Sequence, residues 1–305
     1  MKFARHLLGI AAALVLVITT ASAYLRLSQY GLGCADWPAC YGKTPLEPAM
    51  LPESSAQFWV RAIHRVTATI AGLVFVAIAV FCWDRWRTGR ERVLSFAPLL
   101  LAAFLAWLGR YTPSTLPAVT LGNLVGGMAT LGVLWWLRVA TAPGYATGPA
   151  ASHAYTRAAA LTLLVLFVQI ALGGLTSARL TAAACPGYPL CDTGTTALSA
   201  AAFNPFAHIS PAELGEAALR GLQLVHRGLG ALVTVLLAVI GMLAIRRSGP
   251  VARRGAWLLA LAGAQLLVAA TMILARFPLP LAVAHNFLAA LLVMALIGLI
   301  AARRT

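Results

Sequence analysis

The sequence predicts an all-α integral membrane protein, with eight transmembrane helices arranged as a tandem parallel repeat of two four-helix bundles. Three observations carry that prediction. Apolar residues make up 61% of the 305 residues and charged ones only 10%, with a mean hydropathy of +0.85; a soluble domain cannot hide so much apolar side chain. The apolar residues fall in runs of about 20, the length that crosses a bilayer as a helix. Polar landmarks also recur along the chain. An offset of 162 residues carries His64-Arg65 onto His226-Arg227 and Asn123 onto His285, and an offset of 151 carries Cys34 and Cys40 onto Cys185 and Cys191. The two offsets differ because the second outer loop is longer. Four helices per half is an even number, so both halves share one orientation and the repeat is parallel, not inverted.

Lys2, Arg5, an apolar run and Ala21-Ser22-Ala23 together look like a secretory signal. The run is long for one, and keeping it as a first helix over 7–25 gives an even helix count with both ends inside. An outer loop at 26–58 holds Cys34 and Cys40. Helix 2 covers 59–83 with His64, and a basic inner loop spans 84–92. Helix 3 covers 93–110, with Pro98 tolerated near its start, and helix 4 covers 118–138 with Asn123. Pro143, Gly144, Gly148 and Pro149 mark an inner linker. The halves are therefore 1–142 and 157–305, joined by a cytoplasmic linker at 143–156. Helix 5 covers 157–177, and a second outer loop at 178–217 holds Cys185 and Cys191. Helices 6, 7 and 8 cover 218–245 with His226, 255–275, and 280–302 with His285.

The net charge of +15 would suit a nucleic-acid partner, but its distribution does not. Basic residues gather in short stretches between apolar runs: Arg85, Arg87, Arg90 and Arg92; Arg246, Arg247, Arg253 and Arg254; Arg303 and Arg304. Short basic loops stay on the cytoplasmic side. The charge is a topology signal, which excludes nucleic acid, makes the lipid bilayer the partner and places both termini inside. The cysteine loops then lie outside, where oxidation is permitted, and two disulfides, Cys34–Cys40 and Cys185–Cys191, are expected. A metal site is the competing reading, but neither loop offers further clear Cys or His ligands. Cys82 reads as an inert buried thiol.

Ionisable residues inside membrane-length segments are costly, so each is a candidate site. His226 and His285 lie near the outer ends of their helices at similar depth. Two imidazoles so placed can hold a haem iron from both faces, or can tie helices together by hydrogen bonds; spacing leaves both open. Zinc or copper wants more ligands than are visible. Arg65 and Arg227 suit haem propionates, or snorkel to the interface. His6, His153 and His208 lie at segment ends or in loops and read as solvated.

The stretch Arg26-Leu-Ser-Gln-Tyr-Gly-Leu-Gly-Cys34-Ala-Asp-Trp-Pro-Ala-Cys40-Tyr-Gly resembles the first outer loop of heme A synthases. So do His64-Arg65, Gln169-Ile-Ala-Leu-Gly-Gly174 leading to Cys185-Pro-Gly-Tyr-Pro-Leu-Cys191, His226-Arg227 and Ala284-His285-Asn286, in the family's order over nearly the whole chain. The resemblance implies an eight-helix bundle with haem b in the second half, His226 and His285 being its axial iron ligands. It implies a substrate site for haem O in the first half, with His64 as its catalytic residue, where the C8 methyl is oxidised through an alcohol to a formyl group. It also implies a disulfide-capable outer loop over each half, residence in the cell inner membrane with those loops periplasmic, and partners in haem O synthase and the cytochrome c oxidase assembly machinery. It admits a homo-oligomer.

The sequence departs from the family at two first-half positions. A glutamate is usual three residues before the helix-2 histidine, where this chain has Arg61, and a histidine is usual where it has Asn123. An amide is no ordinary axial ligand, though it can hydrogen-bond a substrate or a water. Glu53 is the nearest carboxylate ahead of helix 2. The alternative to a heme A synthase is therefore a haem-b membrane protein that carries electrons or handles haem without the oxidation. A transporter is the third reading, and no broken helix or membrane-depth carboxylate supports it.

Overall fold

Within a bilayer every backbone polar group must find its partner inside the protein, and helices meet that demand segment by segment. The computed structural model describes residues 2–29, 32, 54–83, 86, 88–112, 116–142, 153–191 and 194–301. The expected Cys34–Cys40 disulfide and Glu53 lie outside these residues. Eight helical segments are long and apolar enough to cross a membrane, as expected. They are α1 (Lys2–Gln29), α2 (Ser55–Phe81), the pair α3 (Gly89–Leu94) and α4 (Ala97–Gly109), α5 (Pro117–Ala140), α6 (His153–Ala178), α9 (Glu216–Ile245), α10 (Gly249–Leu274) and α11 (Leu279–Ala301). Two short helices, α7 (Ala200–Phe203) and α8 (Pro211–Leu214), lie in the loop after α6.

Local chemistry sets the boundaries. The Ser54 hydroxyl accepts from the Gln57 N–H at 3.2 Å while the Gln57 side chain accepts from the Ser54 N–H at 3.1 Å, a capping box that starts α2. Thr88 and Glu91 start α3 in the same way. The third span was expected to be one unbroken helix, and it is not. Pro98 has no N–H and crowds the carbonyl four residues back, so the ladder ends at Leu94 and restarts at Ala97. α6 begins at His153, so the end of the expected 143–156 linker is helical. α10 begins at Gly249, six residues earlier than expected, because Pro250 suits a helix's first turn. Arg253 and Arg254 therefore sit inside the helix, and Arg254 Nη1 donates to the Gly298 carbonyl on α11 at 3.2 Å.

The long helices pack as two rings. α1 packs on α2 and α5, and α4 packs on α5 and α2; α6 packs on α9 and α11, and α10 on α9 and α11. The rings join through α5 with α6, α5 with α11, and α1 with α11. Gly132 permits the α5–α11 contact, since a Cβ there would lie 3.0 Å from Ile297 Cδ1. A continuous core runs through the seam, with Met128, Leu131, Leu134, Val293 and Leu296 fully enclosed.

The first ring is looser than the second at the end that carries the loops. Between residues 55 and 70, α2 has no buried side chain, whereas Ala71, Phe75, Ile78 and Ala79 are buried.

The loop from 179 to 215 has little regular structure, so its carbonyls need partners. Three arginines supply them. Arg179, 1% exposed, donates to the carbonyls of Ile209 at 2.5 Å, Asn204 at 2.8 Å and Ala207 at 3.1 Å. Burial pushes its pKa down from the ordinary arginine value, but a guanidinium stays charged. Arg220 donates to Ala184 and Thr195 and pairs with Glu216 one turn earlier. Gly194, at φ +90°, leaves space for Arg220. Arg227 takes the third set of carbonyls, in the segment closed by the Cys185–Cys191 disulfide. That bridge matches the sequence expectation.

Candidate functional site

The second ring is hollow. Its order is α6, α9, α10, α11, so α9 and α11 stand across it from one another, as do α6 and α10. One diagonal contributes His226 and His285; the other contributes Gln169 and Gln265. All four line a cavity of about 530 Å³, within the range of roughly 300–1,000 Å³ typical of organic-ligand sites.

Reciprocal glycines position His226. A Cβ on Gly173 of α6 would lie 3.0 Å from His226 Cε1, and a Cβ on Gly230 of α9 would lie 3.0 Å from Gln169 Nε2. Each helix gives up a side chain where the other inserts one. Gln169 Nε2 donates to the His226 backbone carbonyl at 3.0 Å and stands 3.1 Å from Nδ1. Across the ring, Gln265 Nε2 stands 3.2 Å from both ring nitrogens of His285. Each histidine has a glutamine from an adjacent helix as its partner, so these contacts join α9 to α6 and α11 to α10, the helix-tying role that the sequence left open beside haem ligation.

The lining is mostly apolar, with Met128, Leu166, Leu237 and Leu292 among it. The polar groups within it are incompletely matched. Gln169 Oε1, Gln265 Oε1, Asn286 Nδ2 and Ser177 Oγ are buried without a hydrogen-bond partner, and all four residues line the cavity. An unmatched buried polar group costs about 1–3 kcal/mol, and four of them belong to residues that line this one cavity. Among the described residues, no three His, Cys, Asp or Glu side chains converge on a point that would hold a bare metal ion. Two imidazoles suit an iron whose other four positions a planar macrocycle fills.

The disulfide loop roofs the cavity, with Tyr188, Pro189 and Leu190 in its wall. Arg227, next to His226, holds that roof. Its Nη1 donates to the carbonyls of Gly187 at 2.5 Å and Pro189 at 3.1 Å, and its Nη2 to Cys185 at 2.7 Å. From the first half, Arg26 and Leu27 of α1 and Leu124 and Met128 of α5 reach the same cavity.

The first half places its candidates differently. His64 is half-buried on α2, with exposed Arg61 and Arg65 on the same helix. Asn123 donates from Nδ2 to Thr112 Oγ1 at 3.1 Å. His6 and His208 are exposed, as expected. Sequence reading assigned no role to Gln169 or Gln265 and missed Arg179 and Arg220. The amides were the available signal, as uncharged polar groups inside apolar helices.

Fold and cavity define a multi-pass membrane protein with a histidine-flanked site of cofactor size. Residues 5–297 match the COX15-CtaA family, the cytochrome oxidase assembly proteins, and the chain belongs to that family. It is 31% identical to the heme A synthase of Shewanella oneidensis over 95% of its own length and 94% of the relative's. It is 26% identical to the heme A synthase of Shouchella clausii, over 74% of this chain and 71% of that one.

Proposed function

We propose that the chain is a heme A synthase-type membrane oxidoreductase that oxidises the C8 methyl of haem O to a formyl group. Family membership supports the reaction class, and the cavity shared by His226 and His285 is the single observation that carries the site. In this reading the second half is a haem-b site. His226 and His285 hold the iron, Gln169 and Gln265 orient their imidazoles, and Arg227 keeps the roof closed against water. A bis-imidazole haem there supplies one-electron transfer at a potential set partly by those ligands. The substrate haem O sits in the first half beside His64, with Arg65 near its acidic groups. The two halves, 1–142 and 157–305, are a duplicated pair, an origin supported by the matching order of packing in the two rings. Basic turns such as Arg246-Arg247 support cytoplasmic termini, and the disulfide at the opposite end supports a periplasmic loop in the inner membrane. Haem O synthase is the upstream partner, cytochrome c oxidase assembly receives the product, and a homo-oligomer is compatible with the exposed apolar faces.

A second reading rests on Arg61 and on the pairing of Asn123 with Thr112. Here the chain binds haem b but does not oxidise a second haem. Co-expression with a haem O synthase and extraction of membrane pigments separates the two. Haem A in the extract supports the enzyme; haem O alone, with one bis-histidine haem b lost in His226→Ala, establishes the second reading.

A further inference from the structure

At the opposite end of the bundle from the histidines, a pocket of about 570 Å³ is lined by Lys2, Arg5, His6, Gly9 and Ile10 of α1 and Arg138 of α5. No carboxylate lines it. Basic residues in inner loops need no explanation beyond topology, but Arg138 is not in a loop. It lies inside α5, within two residues of the helix end at Ala140. Its guanidinium lies over the Trp135 ring, 4.9 Å from the centroid, and its Nε is buried without a hydrogen-bond partner. Gly9 gives it room, since a Cβ there would come within 3.1 Å of that Nε. A stacked, partly desolvated guanidinium held among other cations is poised to receive an anion, and its planar fork matches phosphate oxygens.

The surface beside the pocket indicates the form of the anion. Phe3, Ile10 and Val17 of α1 are 54%, 52% and 44% exposed. They are spaced by seven, hence on one face of the helix. This apolar stripe starts at the pocket and runs toward the middle of the bundle, so the charged end and the apolar track are continuous at Ile10.

We propose that this pocket binds the phosphate of an anionic membrane phospholipid, whose acyl chain lies along Phe3, Ile10 and Val17. Lys2, Arg5 and Arg138 recognise the headgroup, as basic pockets between membrane helices recognise lipid phosphates elsewhere. A free phosphate shares the charge complementarity but has no use for the stripe.

Native mass spectrometry of the full-length protein, released from bilayers of mixed phosphatidylglycerol and phosphatidylcholine, tests this. The expected result is one retained phosphatidylglycerol per chain, with occupancy falling about five- to tenfold in Arg138→Gln and in Arg5→Gln. Arg5 lies outside the core, so its variant carries the test should Arg138→Gln fail to fold. Equal retention of the two lipids, or unchanged retention in the variants, overturns the proposal. Displacement of the lipid by millimolar inorganic phosphate also overturns it, identifying a soluble phosphate as the ligand.

Discussion

Gln169 and His226 meet twice: one amide nitrogen donates to the histidine's own carbonyl at 3.0 Å and stands 3.1 Å from its Nδ1. The imidazole is thereby tied to its backbone and to a neighbouring helix through a single side chain. Groups that accept the free N–H of a metal-ligating imidazole typically change metal-site affinity by about 10- to 100-fold when removed. The Gln169 nitrogen is a donor, so its amide would act in this way with Oε1 turned toward Nδ1. On the haem-b reading, Gln169→Leu is therefore expected to weaken haem retention by that factor and to shift the haem midpoint potential, with His226 still present. Potentiometric titration of the purified protein checks it. An unchanged potential and unchanged haem content would show that the glutamine only packs.

Two glycines of the second ring provide a matched pair of variants. Gly173→Ala places a methyl 3.0 Å from His226 Cε1, whereas Gly263 on α10, outside the cavity lining, has nothing within 4 Å of a built Cβ. Overpacking costs about 1–3 kcal/mol, while alanine in an open helical position gains up to about 1 kcal/mol over glycine. On the haem-b reading, Gly173→Ala is expected to lower haem occupancy by displacing the imidazole, and Gly263→Ala to leave occupancy unchanged. Absorbance of the two proteins per unit of polypeptide distinguishes them.

The sequence disclosed the helices because membrane-length apolar runs are a strong one-dimensional signal. It disclosed His226 and His285 because a charge-capable side chain inside such a run is rare. It did not disclose the break at Ser95-Phe96, where Pro98 looked tolerable near a helix start. Nor did it disclose the arginine forks. The residues that Arg179 grips lie 25 to 30 positions away, and nothing in the local pattern of an irregular loop announces which carbonyls lack partners. Arg227 was expected at a propionate or at the interface; its observed partners are the roof carbonyls, which only the folded loop brings within reach.

That roof has two fastenings, the Cys185–Cys191 bridge and Arg227. A bridge across a separation of six residues contributes about 2 kcal/mol in the chain-entropy account. Hydrogen bonds to a charged group contribute about 1.5–3 kcal/mol. Because both act on the same few residues, their losses should not add. Hydrogen exchange at Ala184, Gly187, Tyr188 and Leu190 is expected to accelerate moderately in Cys185→Ser/Cys191→Ser and in Arg227→Ala, and much more than their product when all three are combined. Arg227→Lys should behave like the alanine variant, since a compact ammonium cannot span three carbonyls. Simple additivity would mean that the two fastenings hold different parts of the loop.

Arg179 is the deeper clamp, and it bears on both halves. The segment it grips also touches α5, where the Ala118 N–H donates to the Pro205 carbonyl at 2.9 Å. The buried guanidinium thus steadies the contact by which the second half's loop closes the start of α5. Leaving a buried carbonyl without its donor costs about 1–3 kcal/mol. Arg179→Met keeps much of the volume but leaves the carbonyls of Asn204, Ala207 and Ile209 without their donor. We expect faster exchange of the Ala118 and Val119 amides together with residues 204–209, and little change within α10, which lies on the far side of the second ring from α5. Exchange that stayed slow at Ala118 while residues 204–209 opened would show that the loop grips α5 by itself.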